Sequence, residues 1–417
     1  MDGPRGLESQ GVTWARVALA QLLGRIAVFV CAFGIVAGSL SRAFDSWSVG
    51  RLTGSLSMVT MLGLLLASFI LWFSRAAWPG AVTVDAQGVD VRRGGVTRRI
   101  AREKLASAYA LTRFSRGEVV PSVELELASG DMVSFTVPSD DVARQIVSDL
   151  GFGPGQRRIR IALGSPARRL YHPLIGLVAY YVGSIAALPL YFVAGGEGWV
   201  HALIGLVSAG VMVAAYYFLR SLLRAPEITV GDDGLVVRRG RKRQVVAGAA
   251  ITAVEQPSVA LPLLLRTTRE ARAVAIHGSA LDFERRTAVA KLAYERFLAP
   301  AGPSDQGAHQ FARGGRTLEA WRAHLRAQLG DVGYREVASP VDVAAGVLGS
   351  ARSTKEERIG AALALRVAGE PTQRIRIAAS AVADDDLRRA LELVAESEDD
   401  VAIERALRRL PCAKRRA

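Results

Sequence analysis

Long apolar runs alternate with polar stretches over the first 220 residues of the chain. Four runs, at residues 17–40, 54–73, 173–194 and 200–219, are each close to the ~20 residues that cross the hydrocarbon core of a bilayer. Their centres carry no acidic or basic side chain, and Arg25 lies near enough to a helix end to reach the headgroups. The pattern predicts four transmembrane helices in two hairpins. Four buried core helices are the alternative.

The lysine and arginine content of the connecting segments predicts the orientation. Residues 195–198, between the third and fourth runs, contain neither. Basic residues flank this second pair of runs on the other side: Arg157, Arg158, Arg160, Arg168, Arg169, Arg220 and Arg224. The positive-inside rule therefore places both termini and the polar segments in the cytoplasm. Arg42 and Arg51, in the loop between the first two runs, argue weakly for the opposite orientation. We expect a multi-pass protein of the cytoplasmic (inner) membrane.

A polar segment with an internal repeat follows each hairpin. Residues 82–94 (VTVDAQGVDVRRG) align without gaps on residues 228–240 (ITVGDDGLVVRRG), an offset of 146 residues. Over residues 82–108, eight of the 27 aligned pairs are identical. Alternating apolar residues and turn-forming Gly and Asp predict antiparallel strands, and a helical stretch closes each copy, at 140–150 and at 283–298. A unit of two spanning helices and one small polar domain has been duplicated.

This order of hairpin, V-T-V-x-x-x-G-V-x-V-R-R-G segment, strands and closing helix, repeated twice, resembles bacterial membrane proteins with pleckstrin-homology-like (PH-like) domains. The resemblance covers roughly residues 1–300. It implies a small β-barrel or sandwich tethered to the cytoplasmic side of the membrane, without an assigned activity. The predicted division has transmembrane hairpins at residues 1–80 and 156–223 and PH-like domains at residues 81–155 and 224–300. An α-helical domain is predicted at residues 301–417.

The second copy departs from the first at residues 259–265 (VALPLLL), where the first copy has residues 113–119 (RFSRGEV). A buried strand is one interpretation of this apolar segment. A loop that dips into the bilayer is the other.

Beyond Pro303 the chain predicts short amphipathic helices in series. Apolar residues recur with i, i+3, i+4, i+7 spacing, as in Ile375, Ala378, Ala379 and Val382, in Leu387, Ala390, Leu391 and Val394, and in Ile403, Ala406, Leu407 and Leu410. Helix starts are expected at Ser353 with Glu356, at Pro371, at Asp384, and at Ser397 with Asp400. The region looks like a short HEAT-type array, and by analogy we expect it to bind a partner protein.

The net charge of +14 is concentrated in the repeated part of the chain. From residue 302 onward there are 19 basic and 17 acidic residues, which leaves +12 for the remainder. Basic clusters fall on the corresponding hairpin of each copy: Arg92, Arg93, Arg98 and Arg99, then Arg238, Arg239, Arg241, Lys242 and Arg243. Contact with anionic lipid headgroups would contribute about 1 kcal/mol per residue. Topogenic and solvating charge is the alternative. Nucleic acid is not expected as a partner, because the clusters lie beside apolar runs and lack interleaved aromatic residues.

No residue pattern predicts a catalytic site, a metal site or a cofactor. The five histidines are scattered, and the two cysteines, Cys31 and Cys412, form no ligand pair. Residues 151–155 (GFGPG) contain a proline where a phosphate loop needs amide donors. We expect a non-enzymatic membrane scaffold that presents PH-like domains and a helical interaction array. An anionic-lipid-responsive regulator is the alternative. A small transporter or membrane enzyme ranks last, because the apolar runs contain no charged residue at their centres.

Overall fold

The fold is taken from a computed structural model. It describes residues 5–43, 78–85, 87–93, 95–115, 118–153, 156–163, 172–193, 198–222, 226–240, 242–255, 258, 261–268, 274–276, 282–298, 308–330, 339–396 and 400–409, with a few single residues between 59 and 70.

A seven-stranded antiparallel sheet forms the first unit, in the order β4-β3-β2-β1-β7-β6-β5. Its strands are β1 (Arg5–Ala15), β2 (Trp78–Asp85), β3 (Gly88–Arg93), β4 (Val96–Ala101), β5 (Leu105–Ser115), β6 (Glu118–Leu127) and β7 (Met132–Thr136). Helix α2 (Asp140–Asp149) closes the unit, and the Ser139 side chain caps its first turn by accepting a hydrogen bond from the Val142 amide. The closing helix predicted at residues 140–150 is confirmed.

Strand β1 comes before the first apolar helix, α1 (Val17–Ala43), yet it lies in the middle of this sheet. It pairs with β2 through Arg5 and Val84, and with β7 through Val12 and Phe135. The chain therefore leaves the sheet at Ala15 and returns to it at Trp78, on the adjacent strand and at the same end.

The second unit repeats this plan with two smaller sheets, in the orders β11-β10-β9-β8 and β12-β13-β14. Its elements are β8 (Ile159–Ala162), α3 (His172–Val193), α4 (Gly198–Leu222), β9 (Glu227–Gly231), β10 (Gly234–Arg239), β11 (Lys242–Ala247), β12 (Ile251–Glu255), β13 (Leu263–Thr267), β14 (Val274–Ile276) and α5 (Phe283–Ala293), which continues as a π-helical turn (Tyr294–Leu298). Strands β10, β11 and β12 begin at 234, 242 and 251, each 146 residues after β3, β4 and β5, at 88, 96 and 105. The duplication is visible element by element.

The prediction of two separate small barrels is wrong. A strand upstream of each apolar helix joins its sheet, and the two units bury their apolar residues in one continuous core that runs from Val12 to Phe297. In the first unit, β1 joins the two halves of the sheet. In the second, β8 has only four residues, and among the described residues it pairs with β9 alone, so the sheet divides in two.

The prediction of four transmembrane helices is also wrong on this structure. Among the described residues, two helices are long and apolar enough to cross a membrane: Leu19–Ser41 within α1 and Trp199–Ser221 within α4. The predicted span at 54–73 lies outside the described residues, apart from single positions. The predicted span at 173–194 forms α3, which packs against α1 and α4 with Ile175 and Ala179 buried. A long apolar run is a property of membrane spans and of packed helices alike, so the run itself does not distinguish them.

The apolar segment of the second copy forms a strand from Leu263 onward. Strand β13 pairs with β12 and β14, and Leu263 and Leu265 are fully buried. The interpretation as a buried strand is confirmed for these residues, whereas Val259 and Ala260 lie outside the part of the chain that is described.

The C-terminal region is helical, as predicted, and it has its own apolar core. It contains α6 (Leu318–Gly330), α7 (Pro340–Gly349), α8 (Lys355–Val367), α9 (Thr372–Ala381), α10 (Asp385–Glu396) and α11 (Asp400–Arg409). Helix α8 lies at the centre, buried on almost every side. Its capping box uses Thr354 and Glu357, one residue later than the pair expected at Ser353 and Glu356.

Candidate functional site

The basic cluster of the first unit lies on the β3–β4 hairpin, with Arg92 and Arg93 next to its tip and Arg98 and Arg99 farther along the ladder. Gly95, with φ +83°, occupies the turn in a left-handed conformation that favours glycine. Across the ladder, Val96 pairs with Arg93, and Arg93 pairs with Gly80, two residues after the start of β2. The tip is therefore at the end of the sheet where β1 runs into α1.

The second unit places its basic cluster in the same way. Arg239 pairs with Lys242 across the β10–β11 hairpin, and Arg238 pairs with Glu227, the first residue of β9. Glu227 also pairs with Ala162, the last residue of β8. The end of β8 and the start of β9 thus lie at the same end of the sheet as the hairpin tip. The chain continues from β8 toward α3, and it enters β9 just after α4.

The four arginines predicted in the first cluster have different surroundings. Arg92 is exposed. Arg98 stacks on the indole of Trp14, with the guanidinium carbon 4.1 Å from the ring centre. Arg99 donates to Asp85 and Asp90, at 2.9 and 3.1 Å. The side chain of Arg93 lies outside the described part, although its backbone belongs to β3.

The ion pair with Arg99 contributes to a change in the pKa of Asp85. The pKa of Asp85 is lowered below its usual value, first by the backbone amide of Gln87 and then by Arg99. The side chains of Arg99 and Asp85 are 50% and 31% exposed, so the pair adds little to folding stability. Arg99 is balanced by acidic groups, and Arg92 is the more available cation of this cluster.

In the second cluster, Arg238, Arg239 and Lys242 are exposed at the hairpin tip, and Arg241 falls outside the described residues. Arg243 differs from its neighbours. It donates to Asp384 at 2.5 Å and to Asp386 at 3.3 Å, both at the start of α10 in the helical region. In this structure Arg243 is therefore held in an intramolecular ion pair, whereas Arg238, Arg239 and Lys242 are exposed.

The turn between β9 and β10 binds the helical region through buried polar groups. The Asp233 carboxylate accepts hydrogen bonds from the backbone amides of Ala383 and Asp384, at 2.6 and 3.1 Å. The Arg358 guanidinium, buried in α8, donates to the Asp232 carbonyl at 2.7 Å. Gly231 is required here, because a Cβ at this position would overlap the backbone nitrogen of Ala383.

Two further charges converge on Asp384 at this junction. Burial opposes its ionisation, but a hydrogen bond from Lys355 and the positive charges of Lys355 and Arg243 lower the pKa of Asp384 below its usual value. The adjacent Asp385 accepts from Arg158 at 2.9 Å. The junction is therefore an ionised network in which each carboxylate has cationic or amide donors.

A buried ion pair joins the two units. Arg285 of α5 donates to Glu124 of β6 at 2.6 Å, and the Tyr109 hydroxyl donates to the same carboxylate at 2.7 Å. The side chains of Arg285 and Glu124 are 6% and 1% exposed. Burial acts to raise the pKa of Glu124, but the charges of Arg285 and Arg113 and the hydrogen bonds from Arg285 and Tyr109 together lower the pKa below its usual value. Burial and the Glu124 charge raise the pKa of Tyr109 well above its ordinary value. These three side chains connect the first and second units within the shared core.

The sequence pattern predicts a helix start at Asp384 and turn-forming Asp and Gly residues at 232–234, but it does not predict that these two acidic segments meet at the junction. The available signal was the clustering of acidic residues opposite an arginine-rich hairpin. Within the described ranges, no three His, Cys, Asp or Glu side chains group to hold a metal ion.

Comparison with known proteins adds no family assignment. No family model, no curated protein and no solved structure matches this chain. The resemblances to PH-like and HEAT-type proteins therefore stay predictions.

Proposed function

We propose that this protein is a non-enzymatic, membrane-attached platform. Its apolar helices sit in the bilayer, its basic hairpin tips contact anionic headgroups, and its helical region is held ready for a partner protein. The observation that carries the proposal is the shared position of the two tips: in each unit the basic hairpin lies at the sheet end nearest the apolar helices.

Exposed apolar side chains on the helices support attachment to a membrane. Phe29 and Phe33 on α1, Ile185 on α3, and Leu206 and Phe218 on α4 are each more than half exposed. A water-exposed surface of this kind would be strongly unfavourable, since apolar patches of such extent mark contact with lipid or another protein. In a bilayer these side chains would contact lipid instead of water, so the unfavourable exposure would be avoided without burial inside the protein.

Strand pairing supports an arrangement with every strand on one side of the membrane. The segment between β1 and β2 starts and ends at neighbouring strands, and the segment between β8 and β9 does the same. The two ends of each apolar segment therefore lie at the same end of the sheet. The positive charge flanking the helices favours the cytoplasmic side of an inner membrane, with both termini there.

Fixed docking of the helical region supports a platform rather than a releasable arm. Asp233, Arg358 and Asp384 make hydrogen bonds across the junction, and Asp384 and Arg358 are almost completely buried. Separation would break the hydrogen bonds of Asp233 to the Ala383 and Asp384 amides and of Arg358 to the Asp232 carbonyl, and each hydrogen bond with a charged group contributes about 1.5–3 kcal/mol. The helical region is accordingly presented at a constant height above the bilayer.

The test of the platform uses the whole chain in nanodiscs, either zwitterionic or containing about one third anionic phosphatidylglycerol. Hydrogen exchange of residues 234–247 reports on the β10–β11 tip. We expect slower exchange with anionic lipid, reversed by high salt and abolished by the triple change Arg238→Gln, Arg239→Gln, Lys242→Gln. Each lost contact corresponds to about 1 kcal/mol, or roughly fivefold in affinity.

The matched control removes the same charge from the helical region, at Arg374, Arg376 and Arg389, which are exposed on α9 and α10. We expect this variant to behave as the unmodified chain does. Equal exchange of the tip in both lipid mixtures would contradict the headgroup contact.

A lipid-responsive regulator is the second candidate, because Arg243 links the hairpin tip directly to the helical region. In this case anionic lipid would compete with Asp384 and Asp386 for Arg243. Exchange of residues 384–396 in the same experiment distinguishes the two functions: it rises with anionic lipid for a regulator and stays constant for a platform.

A further inference from the structure

The tip of the first unit carries exposed apolar side chains in addition to its basic residues. Val96, at the start of β4, is 70% exposed, and Trp78, at the start of β2, is 49% exposed. A single exposed valine is ordinary on a protein surface. Here, however, an exposed tryptophan and an exposed valine lie at one end of the same sheet.

Strand register brings these two side chains to the end of the sheet from which α1 starts. Trp78 pairs with Val12, three residues before β1 ends at Ala15. Val96 pairs with Arg93, which pairs in turn with Gly80. Trp78, Val96 and the start of α1 therefore lie within four adjacent strands at one edge of the unit.

The fold leaves Val96 no place in the core. It lies on the same strand face as Arg98 and Ile100, and Ile100 is buried. Arg98 covers the ring of Trp14 and so forms the rim of the apolar core. Val96, two residues nearer the tip, projects beyond this rim. Folding within the unit cannot bury it.

The second unit lacks this apolar feature. The residue 146 positions after Val96 is Lys242, which is exposed and basic. The two tips therefore differ: one combines apolar and basic side chains, and the other is basic alone.

We infer that Trp78 and Val96 insert into the headgroup region of the bilayer beside α1, with Arg92 at the level of the lipid phosphates. This inference rests on the proposed membrane attachment. Tryptophan favours the membrane interface because its ring is apolar and its indole N–H is polar. The exposed apolar side chains of α1, which begins at this end of the sheet, and the positive charge of the tip both favour a lipid surface as the occupant.

The experiment compares a fluorescent probe at the tip with the same probe at the opposite end of the same strands. A bimane label is attached to Val96→Cys or to Gln87→Cys in the full chain, with Cys31→Ala and Cys412→Ser in the background. Gln87 is exposed in the β2–β3 turn, about 20 Å along the strands from the tip. Both proteins carry the same label, so a difference between them does not come from the label's own affinity for lipid.

Insertion predicts blue-shifted emission at position 96, at least threefold stronger quenching by nitroxide-labelled lipids, and weaker quenching by aqueous iodide than at position 87. Equal quenching at the two positions overturns the inference.

The lipid composition separates this inference from the proposed headgroup contact. If the probe at position 96 inserts equally in zwitterionic and anionic vesicles, insertion stands and the charge-based contact fails. If the probe stays aqueous while residues 234–247 are protected by anionic lipid, the headgroup contact stands and insertion fails.

Discussion

Replacing Glu124 by Gln should destabilise the β core severely. The substitution keeps the shape of the side chain but removes the charge that neutralises Arg285, whose side chain is 6% exposed and bonded to Glu124 at 2.6 Å. Breaking a buried pair by removing one partner costs about 3–5 kcal/mol, because the remaining charge stays buried without compensation. The total stability of a folded protein is only about 5–15 kcal/mol.

The expected shift in the midpoint of thermal unfolding is about 10 °C, from roughly 2–4 °C per kcal/mol for a unit of this size. The measurement is intrinsic fluorescence of the full chain in detergent, combined with proteolysis as a function of temperature. Arg99→Gln provides the matched control, because it breaks exposed ion pairs with Asp85 and Asp90 on the same sheet. Exposed pairs contribute about 0–1 kcal/mol, so this control should shift the midpoint by no more than about 4 °C.

The double variant Glu124→Gln, Arg285→Met tests the cause of the loss. Removing both charges eliminates the buried cation that has lost Glu124, so at least half of the decrease in the unfolding midpoint should be recovered. The Ala162 carbonyl then loses the donor it has in Arg285, and recovery is therefore incomplete. A double variant no more stable than the single one, or a Glu124→Gln shift no larger than that of the control, would refute the electrostatic explanation.

Three further changes test other contacts. Gly231→Ala introduces a Cβ that overlaps the Ala383 backbone, so it should cost about 1–3 kcal/mol and speed proteolytic release of the helical region. The folded-state pKa of Asp384 is lowered, so its stabilisation is present above the unfolded value near 3.8 and is lost as the pH falls through the lowered pKa. Asp384→Asn should therefore lower the unfolding midpoint at pH 7 and make less difference near pH 3. Arg98→Ala uncovers Trp14 and should cost about 0.5–1 kcal/mol with a red shift in tryptophan emission.

Local pattern was sufficient to predict most elements of the repeated units and the helical region. The turns at residues 85–88 and 231–234 and the alternation of Val89 and Val91 specify hairpins without reference to distant residues. The closing helices were predicted for the same reason, since spacing and caps act within a few residues. Nothing in the local pattern marks Val96 as exposed.

Strands β1 and β8 could not be predicted, because their pairing is not local. Arg5 pairs with Val84, and Ile159 with Val230. No turn connects these partners, and an apolar segment lies between them. The shared core has the same origin: Arg285 finds Glu124 at a separation of 161 residues. The prediction of two separate barrels is wrong because burial across two units cannot be deduced from the alternation of residues within one unit.

By itself, the sequence determined that each copy carries a basic hairpin next to an apolar segment. It did not determine which cations remain free. Arg238 and Arg243 face each other across β10 and β11 and have the same chemistry. Arg243 meets Asp384, 141 residues later, and Arg238 remains exposed at the tip. Charge and turn chemistry are properties of neighbouring residues, whereas the partner of a charged group depends on how distant elements pack. Only the tertiary structure could decide it.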